Sequence, residues 1–202
     1  MFEKIFSWFE NRLNPYPDQA PKTPEKGLFH FIWSGIDGMK RWILLLAILT
    51  IGGGIMEALL FQFMGLLVDW LTAYTPATLW QEKGDLLMGM AGLLILSILL
   101  LFLATAVRLQ TLQGVFPMRL RWNFHRLMLG QSLSFYQDEF AGRVSAKVMQ
   151  TALAVRDTVL TIADVLVYVV VYFVTSGLVL ASLDSWFLLP FIVWIVSRFC
   201  VY

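Results

Sequence analysis

The chain has 202 residues, 58% of them hydrophobic and 14% charged, with a formal net charge of +1. Soluble domains carry about 45–50% apolar and about 25% charged residues, so this composition cannot build a water-facing surface, and it lacks the basic field that holds nucleic acid. The one cysteine, Cys200, excludes an intrachain disulfide and a Cys-based metal cluster, each of which needs two or more thiols.

Residues 1–13 place Phe2, Ile5, Phe6, Phe9 and Leu13 at i, i+3, i+4, i+7 spacing, with Glu3, Lys4, Glu10, Asn11 and Arg12 between them. That pattern predicts an amphipathic helix lying on a membrane surface, and it lacks the unbroken apolar core of a signal peptide. Pro15, Pro17, Pro21 and Pro24 make 14–27 a linker. The next apolar stretch, 28–36, carries His30 and Trp33 and closes at Gly38, Lys40 and Arg41. Too short to span, it suits the headgroup region, where amphipathic rings and basic side chains settle.

Four apolar blocks follow. The first, 42–68, is interrupted only by Glu57 and includes Gly52, Gly53 and Gly54, whose small size permits close helix contact within a bilayer. The second, 86–107, carries no charge and is closed by Arg108. The third, 165–183, follows a helical lead-in from Gly142. The fourth, 186–202, starts after Asp184 and Ser185 and is short for a crossing, which takes about 20 residues.

Lysine and arginine set the orientation. Lys4, Arg12, Lys22, Lys26, Lys40 and Arg41 precede the first span, and Arg108, Arg119, Arg121, Arg126, Arg143, Lys147 and Arg156 lie between the second and third. Between the first and second spans only Lys83 stands beside Asp69, Glu82 and Asp85. Both basic regions therefore face the cytoplasm, the N-terminus included. The segment 108–164 is far longer than the roughly 2–8 residues that usually join bundle helices. Helical spacing over 118–130 and 143–159, with a break at 132–141, predicts two helices extending about 25–30 Å beyond the spans.

Within this segment stand Arg119-Leu120-Arg121, Gln131-Ser132-Leu133-Ser134-Phe135-Tyr136, Gly142-Arg143-Val144 and Lys147-Val148-Met149-Gln150. Their order and spacing resemble the ATP-binding-cassette (ABC) exporter family in its half-transporter form, six membrane helices followed by a nucleotide-binding domain. Gln150-Thr151 stands where many members have Asn-Asp, and no proline occurs at 62–65. The resemblance implies an all-α, polytopic membrane helical bundle with long cytoplasmic helix extensions. It divides the chain into a cytoplasmic region, 1–41, and part of the exporter's membrane domain, 42–202.

It also implies that 135–141 is a coupling helix docking on the ATPase domain, with Phe135, Tyr136 and Phe140 as aromatic anchors. Asp138 and Glu139 would form the polar rim, and Gly142 and Arg143 the turn beyond. Implied partners are the lipid bilayer, the nucleotide-binding domain and a second half-transporter, as a homo- or heterodimer. ATP and magnesium would belong to the ATPase domain, and the location would be the bacterial inner membrane.

The chain has no Gly-x-x-x-x-Gly-Lys-Ser/Thr run to hold phosphates and no Gly-x-Ser-x-Gly. His30 and His125 sit in different segments outside any metal-binding spacing. No enzyme is expected in these residues, and a chain of this kind would be an incomplete exporter. The rival reading is a self-contained four-span accessory or scaffold subunit. Glu57 and Gln62 are the candidates for lining a transport pathway. An ionised carboxylate near mid-membrane is costly, by about 2.5–3.5 kcal/mol, unless it faces a cavity or a partner, so Glu57 is expected to act on cationic cargo. Asp164, at the cytoplasmic edge of the third span, is expected to be reached by water.

Overall fold

The structure, a computed structural model, describes residues 2–18, 27–138, 141–183, 186 and 188–200, and every longer regular element among them is helical. In chain order these are α1 (Phe2–Glu10), α2 (Leu28–Gly35), α3 (Lys40–Ala73), α4 (Pro76–Ala106), α5 (Val115–Leu129), α6 (Leu133–Asp138), α7 (Ala141–Leu160), α8 (Val167–Leu183) and α9 (Leu188–Cys200). Two π-helical segments, Val107–Gln113 and Thr161–Leu166, follow α4 and α7.

Three helical runs, Lys40–Ala73, Thr78–Leu129 and Gly142–Ser182, are long and apolar enough to cross a membrane. They coincide with the first three expected spans. At 1.5 Å per residue they measure about 50, 80 and 60 Å, against a hydrocarbon core of about 30 Å. None of the most apolar stretch of the second or third run is buried inside the protein. The expected fourth span contains α9, whose 13 residues are fewer than the about 20 a crossing takes.

The loop expected over 69–85 is largely helical. Thr75 precedes Pro76, which is well suited to a first helical position because it has no N–H to satisfy. The Thr75 N–H donates to Thr78 Oγ1 at 3.1 Å, and the Thr78 hydroxyl lies 3.0 Å from the Thr75 carbonyl. This reciprocal cap starts α4 at once. The charges at 69–85 therefore ride on helix ends.

The chain divides into two compact units, Met1–Ile48 with Leu103–Val165, and Leu49–Phe102 with Leu166–Tyr202. In the first, α5 packs along α7, and Leu112, Phe116, Leu120, Ala152, Val155 and Val159 are buried. Gly35 of α2 lets that helix come close, since an added Cβ would stand 3.2 Å from Leu120 Cδ2. Phe31 stacks on Phe124 with centroids 6.0 Å apart. Gly38, at φ +80°, makes the turn into α3 in a region that a side chain disfavours.

The apolar face read at 1–13 is present in α1, but Phe9 and Leu13 are covered by the chain itself. α1 is seated on the Val107–Gln113 segment, where the fully buried Thr111 donates its hydroxyl to the Phe9 carbonyl at 3.3 Å. Spacing defines a face; it does not say whether lipid or protein will cover it. Beyond α1 the chain runs beside α5. Arg119 donates to the Asn14 carbonyl (3.2 Å), Trp122 Nε1 to Pro17 (3.2 Å), and Arg126 to Pro17 (3.1 Å) and Asp18 (2.8 Å). Residues 119, 122 and 126 share one helical face, and they hold the N-terminal segment by its backbone.

In the second unit, glycines set the helix contacts. An added Cβ on Gly52 would meet Leu100 of α4 at 3.5 Å, and one on Gly54 would meet Val171 of α8 at 3.3 Å. Phe173 of α8 stacks on Trp194 of α9, with centroids 5.9 Å apart. Small residues at such crossings let backbones approach where lipid supplies no hydrophobic drive between helices.

Candidate functional site

The expected break at 132–141 contains a short helix. Gln131 N–H donates to the Met128 carbonyl at 2.9 Å, closing α5. Ser132 then caps α6, its hydroxyl accepting from the Phe135 N–H at 3.4 Å, the usual task of a serine just before a helix. Tyr136 Oη donates to the Met128 carbonyl at 2.5 Å, which ties α6 back to the end of α5.

The two described aromatics behave differently. Phe135 is half-buried and lines a groove of about 380 Å³ with Phe124, Leu127 and Met128 of α5 and Val144, Lys147 and Val148 of α7. Tyr136 leaves its ring exposed and meets Phe135 edge-on at 5.3 Å. Of the pair, Tyr136 presents the outward surface. Gly142 and Arg143 lie exposed on the first turn of α7, and Arg143 is engaged by a further interaction. Glu139, Phe140 and the side chain of Asp138 lie outside the described residues.

Two arginines behind this tip have unusual surroundings. The Nε atoms of Arg119 and Arg121 are buried without a hydrogen-bond partner among the described residues. Burial lowers the Arg119 pKa from its ordinary value, and nearby Asp37 opposes that shift. An added Cβ on Gly38 would run into the Arg119 guanidinium. Gly38 thus gives the cation its place.

On α3, Glu57 and Gln62 are five residues apart, about 140° around the helix, so the two candidates do not share a face. Gln62 is exposed. Glu57 is half-buried and accepts a hydrogen bond from the Tyr168 hydroxyl of α8. Tyr168 in turn stacks on Tyr172, with centroids 5.8 Å apart and planes 17° from parallel. Asp164, expected to meet water, is instead paired with Arg108 at 2.5 Å, and its side chain is only 19% exposed.

Tyr168 and Tyr172 were not singled out from the sequence, although two tyrosines at i, i+4 inside an apolar block are a readable signal of a polar face. Arg108 and Asp164 are far apart in sequence, and nothing local announces their pairing. The same holds for Trp122 and Arg126, whose partners are main-chain carbonyls of the N-terminal segment.

The chain is 78% identical over 196 residues to a Haemophilus influenzae protein named uncharacterized ABC transporter ATP-binding protein. The match takes in 97% of this chain and 32% of the relative, so the chain spans about one third of that protein's length. No family model matches the chain. No solved structure matches it either.

Proposed function

We propose that this chain forms part of the membrane domain of an ATP-driven ABC exporter, with α6 and its flanks as a coupling contact to a nucleotide-binding domain. The observation that carries the reading is the near-complete match of an apolar, helical chain to one third of an ABC transporter protein. The chain has no phosphate-binding run, so ATP binding is assigned to the part of such a protein outside this match. The arrangement of α5, α6 and α7 supports the same reading. A coupling contact must carry force, and α6 is capped by Ser132, tied down by Tyr136 and seated by Phe135. A second half-transporter, as a homo- or heterodimer, would complete the pathway in the inner membrane, with this chain's N-terminus in the cytoplasm.

Two experiments test this. Alkaline phosphatase fused after Trp80 should be active and after Gln131 silent; activity after Gln131 would overturn the orientation. In the full-length transporter, Tyr136→Ala should leave insertion intact but uncouple ATP turnover from transport, since truncating an interface anchor typically costs about 2 kcal/mol or more. Tyr136→Phe removes only the hydrogen bond to Met128 and should transport nearly normally. Unchanged transport in Tyr136→Ala would refute the docking role.

A further inference from the structure

Glu57 sits in α3 at a place prepared by glycine. Gly54, one turn earlier on the same face, leaves room for α8, since an added Cβ there would stand 3.3 Å from Val171 and 3.7 Å from Tyr168. That close approach brings the Tyr168 hydroxyl onto one carboxylate oxygen of Glu57. The second oxygen has no hydrogen-bond partner among the described residues. Tyr172, one turn along α8, extends the aromatic surface by stacking on Tyr168.

If the only task here were to join two helices, a neutral glutamine could accept the same phenol hydrogen bond. It would do so without the insertion cost of an ionisable group in an apolar span. A carboxylate therefore asks for a charge-based reason. A metal ion such as calcium would want about 6–8 oxygen ligands, more than one carboxylate and two phenols provide. An open carboxylate oxygen beside two tyrosine rings matches a different partner, a single diffuse positive charge in an apolar body. Ring faces attract such a charge, more so when water is excluded.

We infer that Glu57, Tyr168 and Tyr172 form a binding site for a lipophilic monovalent organic cation. The carboxylate balances the charge, and the outer faces of the ring pair take the apolar body. The inference deepens the proposed function by naming a cargo class, and it rests on the bilayer placement of α3 and α8 in that reading. Binding itself needs neither ATP nor export.

The test is equilibrium binding of radiolabelled tetraphenylphosphonium to the full chain in lipid nanodiscs, with circular dichroism confirming helical content for each variant. Saturable binding is expected, with triphenylphosphine oxide, a related neutral molecule, failing to displace it. Glu57→Gln should weaken binding at least tenfold, Glu57→Asp less, and Tyr172→Leu several-fold. Tyr168→Phe keeps the ring and frees the carboxylate from its hydrogen bond, so it should bind as tightly or more tightly. A purely structural tie would give the opposite. Absence of saturable binding to the helical wild-type chain, equal affinity in Glu57→Gln, or equal competition by the neutral oxide would each overturn the site. Failure of the coupling experiment with cation binding intact would remove the exporter reading and leave the site standing.

Discussion

Thr111→Val would show how firmly the N-terminal segment is held. Valine has nearly the shape of threonine, so the fully buried position keeps its packing, but the Phe9 carbonyl loses the hydroxyl that reaches it at 3.3 Å. Leaving a buried acceptor unmet costs about 1–3 kcal/mol, which raises the local opening equilibrium of α1 about 5- to 150-fold. Release should not be complete. Phe9 and Leu13 remain buried, worth about 1.5–3 kcal/mol each, and Arg119, Trp122 and Arg126 still hold the segment by carbonyls of residues 14–18. Hydrogen exchange followed by mass spectrometry reads this directly, because opening exposes the amides of residues 2–18 while α5 stays protected. Thr111→Ser keeps the donor and should exchange more slowly than Thr111→Val. Unchanged exchange in the valine variant, with helix content preserved, would refute the assignment of this hydrogen bond as a tie.

Gly38→Ala should lower thermal stability, because alanine at φ +80° costs about 1–2 kcal/mol and its Cβ displaces the Arg119 guanidinium; a midpoint within a degree of wild type would contradict both. Arg108→Met should destabilise more than the double variant Arg108→Met/Asp164→Leu. Removing one partner leaves a poorly exposed carboxylate without its mate, while removing both does not, and a denaturation cycle showing simple additivity would count against the pair. Ser132→Ala should loosen α6 by about 1 kcal/mol, seen as faster exchange at Ser134 and Phe135; no change there would mean the cap is idle.

The spans and the two helices around the tip were legible because their signals are local. An uncharged run such as 86–107 declares itself by length, and the helical spacing over 118–130 and 143–159 marks α5 and α7 to within a few residues of their ends. Covering partners were not legible. The apolar face of α1 was read correctly as a face, yet what covers Phe9 is a segment about a hundred positions away. Similarly, Glu57 stood out as a lone carboxylate in an apolar block, but Tyr168 became meaningful only once Gly54 had brought α8 alongside. The reciprocal Thr75–Thr78 cap was readable in principle. The charges at 69–85 drew the eye to a loop instead.

The π-helical segments have a consequence for how this sequence can change. A π turn accommodates one more residue than an α turn over a similar rise, so each segment acts as a phase shifter along a continuous rod. Deleting a single residue within Val107–Gln113 would let that stretch revert to α-helix with little loss of length. Every residue after it would then be rotated by about 100° relative to those before. Arg119, Trp122 and Arg126 would swing off the N-terminal segment together, while the local sequence of α5 stayed the same. Insertions and deletions at this point are thus not neutral spacing changes, and substitutions that keep length should be tolerated far better than one-residue indels.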